Sequence, residues 1–299
     1  MVWRRETGST DVHHAAEWAS MSRRVIINAD DLGLHVAVRR AVEELAERGT
    51  LTSASLLANG PDLAESVRIR GISLGAHLNI LRGPPISAPT EIPSLLGPDG
   101  LFLGSYAALY ARYATGRIAL EDVELEWTRQ LELLVERGAR LTHVDGEKHT
   151  HAWPRFFPVA QRVAAAFGIA NVRVPRERWT LAAPIAGQMR VLFLRAWLRS
   201  VERRDLGVWG IAHQGECLTP DALRAALARA DDGSITSRTI EIACHPGDAT
   251  DGDADIDPRF GRMRVRALWG PELRSLRSER WRTVIDEMGW TLASFDDLA

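Results

Sequence analysis

The sequence predicts an α/β fold in which seven or eight mostly parallel strands form a sheet, either open or closed into a barrel. Three observations carry this reading. Short apolar runs alternate with longer stretches of helical period through most of the 299 residues. Polar residues suited to chemistry recur at the carboxyl ends of the predicted strands, where such folds bind ligands. No repeat, low-complexity tract or linker interrupts the rhythm, so residues 23–299 read as one domain.

Each element has its own signal. "RVIINA" (24–29) is strand-like, and "HVAVRRAVEELAERG" (35–49) puts Val38, Val42 and Leu45 on one helical face, with Gly49 as the stop. "TLTSASLLAN" (50–59) suits a strand, and "PDLAESVRIR" (61–70) opens with Pro and an acid, as helices do. "ISLGAHLNI" (72–80) is a third strand. The stretch 81–100 is broken by Pro and Gly and too long for a turn, which marks a binding segment or lid. Residues 120–138 form an amphipathic helix with Val123, Trp127, Leu131 and Leu134 in phase. "RLTHVDG" (140–146) and "NVRVP" (171–175) are strands around a helix over 154–168, and a further helix spans 188–203. "LGVWGIAH" (206–213) and "RTIEIACH" (238–245) are strands around the helix 220–230. The end is helical over 271–289, then "WTLASF".

Composition excludes several classes. With 45% hydrophobic and 25% charged residues the chain is ordinary for a soluble globular protein. A formal net charge of −2 carries no footprint for nucleic acid or an anionic membrane, and the arginines read as solvated helix faces. Cys217 and Cys244 make no disulfide framework, so a reducing cytoplasm is the expected location. No apolar run reaches the ~18 residues of a membrane span. Residues 1–22 lack the apolar core of a signal peptide and read as a disordered extension. There is no P-loop, dinucleotide fingerprint or Gly-x-Ser-x-Gly elbow. The Asp-rich stretch 248–261 lacks the closing Glu of a calcium loop and reads as solvated.

The strand ends carry the chemistry. "ADDLG" sends Asp30 and Asp31 off the first strand; Asp31 suits a helix cap, but a metal ligand beside a general base also needs two adjacent acids. His77 ends another strand, either as a hydrogen-bonded structural residue or as a ligand. "HVDGEKHTH" (143–151) packs three His, an Asp and a Glu into nine residues, a donor set for a borderline divalent ion such as Zn, Co, Ni or Mn, with Mg favoured as carboxylates accumulate. "CHPG" (244–247) ends a strand on His245, a proton donor or a solvent-facing turn, while Cys244 reads as core.

"NADDLG", "GTLTSASLLANG", "LGAHLNI", "THVDGEKHTHAWP" and "ACHPG", in that order over residues 24–297, resemble the YdjC-type carbohydrate deacetylases. That family includes chitooligosaccharide deacetylases and hopanoid-associated deacetylase-like proteins. The resemblance implies an irregular (β/α) barrel related to the polysaccharide deacetylases, and one divalent metal ion that activates water against an N-acetyl group. It implies Asp31 and His77 as metal ligands, Asp30 as general base and His245 as general acid. The family's Asp-x-His-x-His-x-His segment falls on Asp145, Glu147, His149 and His151. Glu147 therefore stands where the family has a ligating His, so the third ligand is Glu147 or His149, and the metal (Mg, Zn, Mn, Co or Ni) is open.

Asp145 and His151 are expected in substrate contacts or behind the ligands, and Arg176, with Arg173 as a second candidate, in binding substrate hydroxyl or acidic groups. Trp153 and Trp179 are expected to stack on the sugar. The expected partner is an N-acetylated carbohydrate, with no nucleic acid, no membrane span and a homodimer as the assembly. The alternatives are another metal-dependent amidohydrolase or phosphoesterase, and a non-catalytic sugar-binding relic.

Overall fold

A computed structural model describes residues 23–200, 206–231, 238–250, 253–261 and 263–298; the extension 1–22 and the end of the helix expected over 188–203 lie outside them. Chain order is β1 (Arg23–Leu32), α1 (Val36–Glu47), β2 (Ser53–Leu56), the one-turn α2 (Leu63–Ser66), β3 (Ser73–Leu78), α3 (Tyr106–Ala114), α4 (Leu120–Glu136) and β4 (Leu141–Gly146). Then follow α5 (Phe157–Ala166), β5 (Asn171–Val172), α6 (Ile185–Trp197), β6 (Leu206–Trp209), α7 (Pro220–Asp231), β7 (Thr239–Cys244), α8 (Arg266–Leu276), α9 (Arg280–Glu287) and β8 (Trp290–Leu292).

The strands form one parallel sheet in the order β5-β4-β3-β2-β1-β7-β6, with β8 on the amino-terminal half of β1. It curls into a half-barrel with helices outside, and among the described residues no ladder joins β5 to β6. β1 is buried on both faces from Val25 onward, which is why it reads as a continuous apolar run. Because every pairing is parallel, the carboxyl ends of β1, β3, β4 and β7 share one rim.

Helix α4 packs Val123, Trp127, Leu131 and Leu134 inward, all fully buried, as its period requires. The same face carries two buried polar residues. Glu126 accepts the Ile86 and Ser87 amides (3.0 and 2.9 Å), and Gln130 accepts the Asn79 amide (2.9 Å). These bonds, with Asn59 donating to the Arg82 and Pro84 carbonyls, tie down the Pro/Gly-rich segment after β3. That segment is a fixed loop whose first turn brings Arg82 to the rim.

Three elements differ from the sequence reading. Helix α3 was not anticipated; Ser105 caps it by accepting the Ala108 amide, and Leu109 and Tyr113 bury its inner face. The carboxyl-terminal helix over 271–289 is two helices, and α8 starts earlier and runs through Pro271. Asp31 does not cap α1: the His35 side chain does, accepting the Ala37 amide. Among the described residues no helix is long and apolar enough to cross a membrane.

Candidate active site

Two acid-rich clusters meet at the rim, and β1 supplies one carboxylate to each. In regular strand, adjacent side chains point to opposite faces. Here the β1–β2 register shifts between Ala29 and Leu32, and Asp31 takes a left-handed backbone (φ 65°), so both acids stay buried at the strand end. Lys148 (φ 52°) and His149 (φ 57°) are the other non-glycine residues with positive φ among the described residues. Such conformations cost about 1–3 kcal/mol each and persist where the surroundings impose them. All three flank one spot.

That spot is the meeting of Asp31, His77 and Glu147. His77 Nε2 lies 3.4 Å from Asp31 Oδ1 and 3.7 Å from Glu147 Oε2, and one donor atom of each lies within 4.8 Å of the others. The parallel register sets His77 beside Asp145, whose Oδ1 is 2.7 Å from His77 Nδ1. The ring is thereby oriented with Nε2 toward the two acids, the usual carboxylate–histidine arrangement behind a metal. Asp31 Oδ1 and Glu147 Oε1 are buried without a hydrogen bond, although Arg82 Nε is 3.4 Å from the latter. Burial, then the Glu147 carboxylate, push Asp31 up to about 6. Burial disfavours the Glu147 charge too, but His77 and Lys148 hold its carboxyl below the usual range. Two orphaned carboxylate oxygens and one oriented imidazole nitrogen fit a divalent cation.

The second cluster is already ion-paired through Arg173. Arg173 is 2% exposed and donates to both oxygens of Asp30 (2.8 Å each), to Glu241 Oε1 (2.9 Å from Nε) and pairs with Asp145 Oδ2 (2.7 Å). Ser55 Oγ donates to Asp145 Oδ2 (2.8 Å), and Asn28 Nδ2 to Asp30 Oδ1 (2.9 Å). Burial opposes the Asp30 charge, and the Arg173 guanidinium overrides it, leaving Asp30 below the usual carboxylate range. Burial pushes Glu241 up to about 7. Asp30, His77 and Asp145 also converge closely enough for an ion, but Arg173 already occupies that role.

His245 follows β7, with Nε2 4.0 Å from Asp30 Oδ2 and Nδ1 3.7 Å from Glu272 Oε2. Burial would lower its pKa; the Glu272 carboxylate more than compensates and raises it. Glu272 is fully buried and also accepts the His245 and Gly215 amides (2.5 and 2.7 Å), which fixes the turn carrying His245. Cys244 gives its thiol to the Asn28 carbonyl (3.2 Å) and burial pushes it well up, as befits core.

The remaining predicted residues divide. His149 belongs to neither close group of donors; its Nδ1 is buried without a partner, and burial lowers it to about 3. His151 Nε2 meets the Arg173 carbonyl (2.9 Å), so it braces the arginine's backbone. His143 lies beneath the site, 3.1 Å from Asn28 Oδ1, in space that exists because residue 75 is glycine: a Cβ there would be 2.3 Å from its ring. Arg176 donates to the Leu198 carbonyl and lines a separate cavity of about 610 Å3 beside β6. Two guesses need correction. Trp153 is fully buried against Phe156 and offers no face to a sugar, and Arg173 is an internal counter-ion because three carboxylates surround it. Trp179 does reach the surface. Glu241 and Glu272 went unnoticed in the sequence.

Comparison with known proteins agrees with the motif order. The YdjC-like protein family matches residues 24–287. A carbohydrate deacetylase of Homo sapiens is 31% identical over 298 residues, covering 92% of this chain and 91% of that one. A chitooligosaccharide deacetylase of Escherichia fergusonii is 28% identical, covering 93% of this chain and 100% of the relative. A crystal structure from Enterococcus faecalis V583, of a proposed cellobiose-phosphate cleavage protein, superposes with a TM-score of 0.68 at 22% identity, covering 93% and 99% of the two chains, and shares the fold. The length of the family match and the human relative together establish that this chain belongs to the YdjC-like family.

Proposed function

We propose that the protein is a metal-dependent carbohydrate deacetylase that hydrolyses the N-acetyl amide of a sugar or sugar conjugate. Its relatives are named for that activity, and one observation within this chain carries the reading furthest. The trio Asp31, His77 and Glu147, in which each acid keeps a buried oxygen without a hydrogen bond, shares the rim with an anionic Asp30 and a histidine of raised pKa. Asp31, His77 and Glu147 would hold the ion, with Asp145 orienting His77. When bound, a divalent ion supplies a Lewis acid for the acyl oxygen and lowers the pKa of water.

The chain's own groups do the proton work. Asp30, kept ionised by Arg173, accepts the proton of the attacking water. His245 enters protonated under the influence of Glu272 and gives its Nε2 proton to the departing amine. Glu241, pushed up to about 7, keeps the buried negative charge around Arg173 from accumulating. His151 supports that arginine through its backbone, and Arg176, in its separate cavity, would contact a substrate only through an extended conjugate.

The test is acetate release from N-acetylated chitooligosaccharides and monosaccharides by protein stripped of metal and then reloaded with Mg, Mn, Co, Ni or Zn. Release that requires the ion is expected. Reloaded, folded protein that frees no acetate from any N-acetylated sugar would refute the reading.

A further inference from the structure

His149 is the histidine of the rim that neither carboxylate cluster uses. It belongs to no close group of donors, and among the described residues no hydrogen bond reaches either nitrogen of its ring. The residue is half-buried and Nδ1 is enclosed, so Nε2 is the nitrogen left open at the rim. A buried ring nitrogen without a partner is costly, and in a native fold it calls for a reason.

The backbone carries a second cost at the same place. Lys148 (φ 52°, ψ 25°) and His149 (φ 57°, ψ 27°) are consecutive left-handed residues, a conformation that L side chains avoid and glycine takes freely. The turn is clamped on both sides. Thr150 Oγ1 donates to the Glu147 carbonyl (3.0 Å), the Trp153 amide to the Thr150 carbonyl (3.0 Å), and His151 Nε2 meets the Arg173 carbonyl (2.9 Å). Lys148 is exposed, while His149 faces the Arg173 side of the rim: the charges that act on its ring most are Arg173 and Asp30, not Asp31 and Glu147. Both oxygens of Asp30 already accept from Arg173 (2.8 Å each), so the strained turn holds an unused hydrogen-bonding group beside a paired acid.

We propose that His149 is a substrate-binding residue whose Nε2 hydrogen-bonds a ring hydroxyl of the sugar beside its acetamido group. The inference rests on the deacetylase reading. A substrate whose amide is attacked from Asp30 has to hold its sugar ring at the rim around that acid, where the polar groups it offers are hydroxyls. An imidazole suits them, because its nitrogens can donate to a hydroxyl or accept from one. A metal ligand would have to bring a nitrogen into the trio of Asp31, His77 and Glu147, and His149 brings none. A turn needed only for the fold would favour glycine or asparagine at position 149.

Metal-loaded His149→Gly and His149→Asn are compared with wild type in acetate release from an N-acetylated chitooligosaccharide. Asp30→Asn protein, with and without His149→Gly, is titrated calorimetrically with the same sugar, so that binding is read without turnover. Glycine should keep metal content at the wild-type level and melt no lower, since it relieves the left-handed backbone. KM and the calorimetric Kd should rise about tenfold, equivalent to about 1.4 kcal/mol for one hydrogen bond, with a smaller fall in kcat. Asparagine, which tolerates the same backbone and keeps a polar group, should lose less. Metal lost from the glycine variant would make His149 a ligand and overturn the proposal. An unchanged KM in an enzyme that frees acetate would overturn it too, and would leave the deacetylase reading standing. Wild type that frees no acetate, with Asp30→Asn protein that binds no sugar, overturns both.

Discussion

The two carboxylate clusters at the rim contain similar residues and are in opposite states. Around Arg173, three acids share one guanidinium, so each carboxyl has at least one oxygen paired to it, although Glu241 Oε2 is left without a hydrogen bond. Around His77, Asp31 and Glu147 keep orphaned oxygens, and the nearest guanidinium, Arg82, stands 3.4 Å from Glu147 without a hydrogen bond to it. Acid content alone therefore does not mark a candidate metal site; the lack of a bonded guanidinium does, and the β1 strand end contributes one acid to each kind of cluster.

Asp30→Asn gives the sharpest break. Losing a general base should cut turnover by roughly 10²–10⁴, while metal analysis of the variant stays at the wild-type level. If turnover survives, Asp30 belongs wholly to the structural cluster. Arg173→Met comes next: it strands three buried acids, and urea unfolding should show a loss of about 3–5 kcal/mol. A small loss would mean the acids are protonated or hydrated, and the contrast between the clusters fails.

Asp31→Asn in metal-free protein should do the reverse. The folded-state pKa of Asp31 is raised to about 6, above its unfolded value. The favourable term is therefore complete below the unfolded pKa and disappears as pH rises toward 6. Above that pH the variant should exceed metal-free wild type by about 3 kcal/mol, from two pKa units at 1.36 kcal/mol each, and the two should converge near pH 4. Saturating divalent ion should erase the advantage. The smallest effect expected is on pH dependence: Glu272→Gln removes what raises His245, so the alkaline limb of the rate profile moves to lower pH. An unmoved limb would assign it to another group.

The residues singled out from the sequence that the fold gathers at the rim sat where a polar side chain interrupts an apolar run. Asp30, Asp31, His77 and His245 all end strands, and a parallel sheet brings such ends together. Glu147 was legible as a departure from a motif; that it lies beside Asp31 and His77 while His149 belongs to neither close group of donors was visible only in the structure, where residues 148 and 149 turn left-handed. Glu241 and Glu272 were invisible because one lies within an apolar strand and the other within a helix, and a lone glutamate reads as solvated until the packing around it is seen. Trp153 resembled an exposed loop residue and is core, since α3 and the ring of Phe156 close over it.

What the sequence alone determined was the parallel α/β order and the cast of ionisable groups, because periodicity and strand-end polarity are local properties of the chain. Only the tertiary structure decided which acids are hydrogen-bonded to a guanidinium and which are not. That depends on Arg173, distant in sequence from its partners, entering the half-barrel at Asp30 and Asp145, while Arg82 stops short of a hydrogen bond to Glu147.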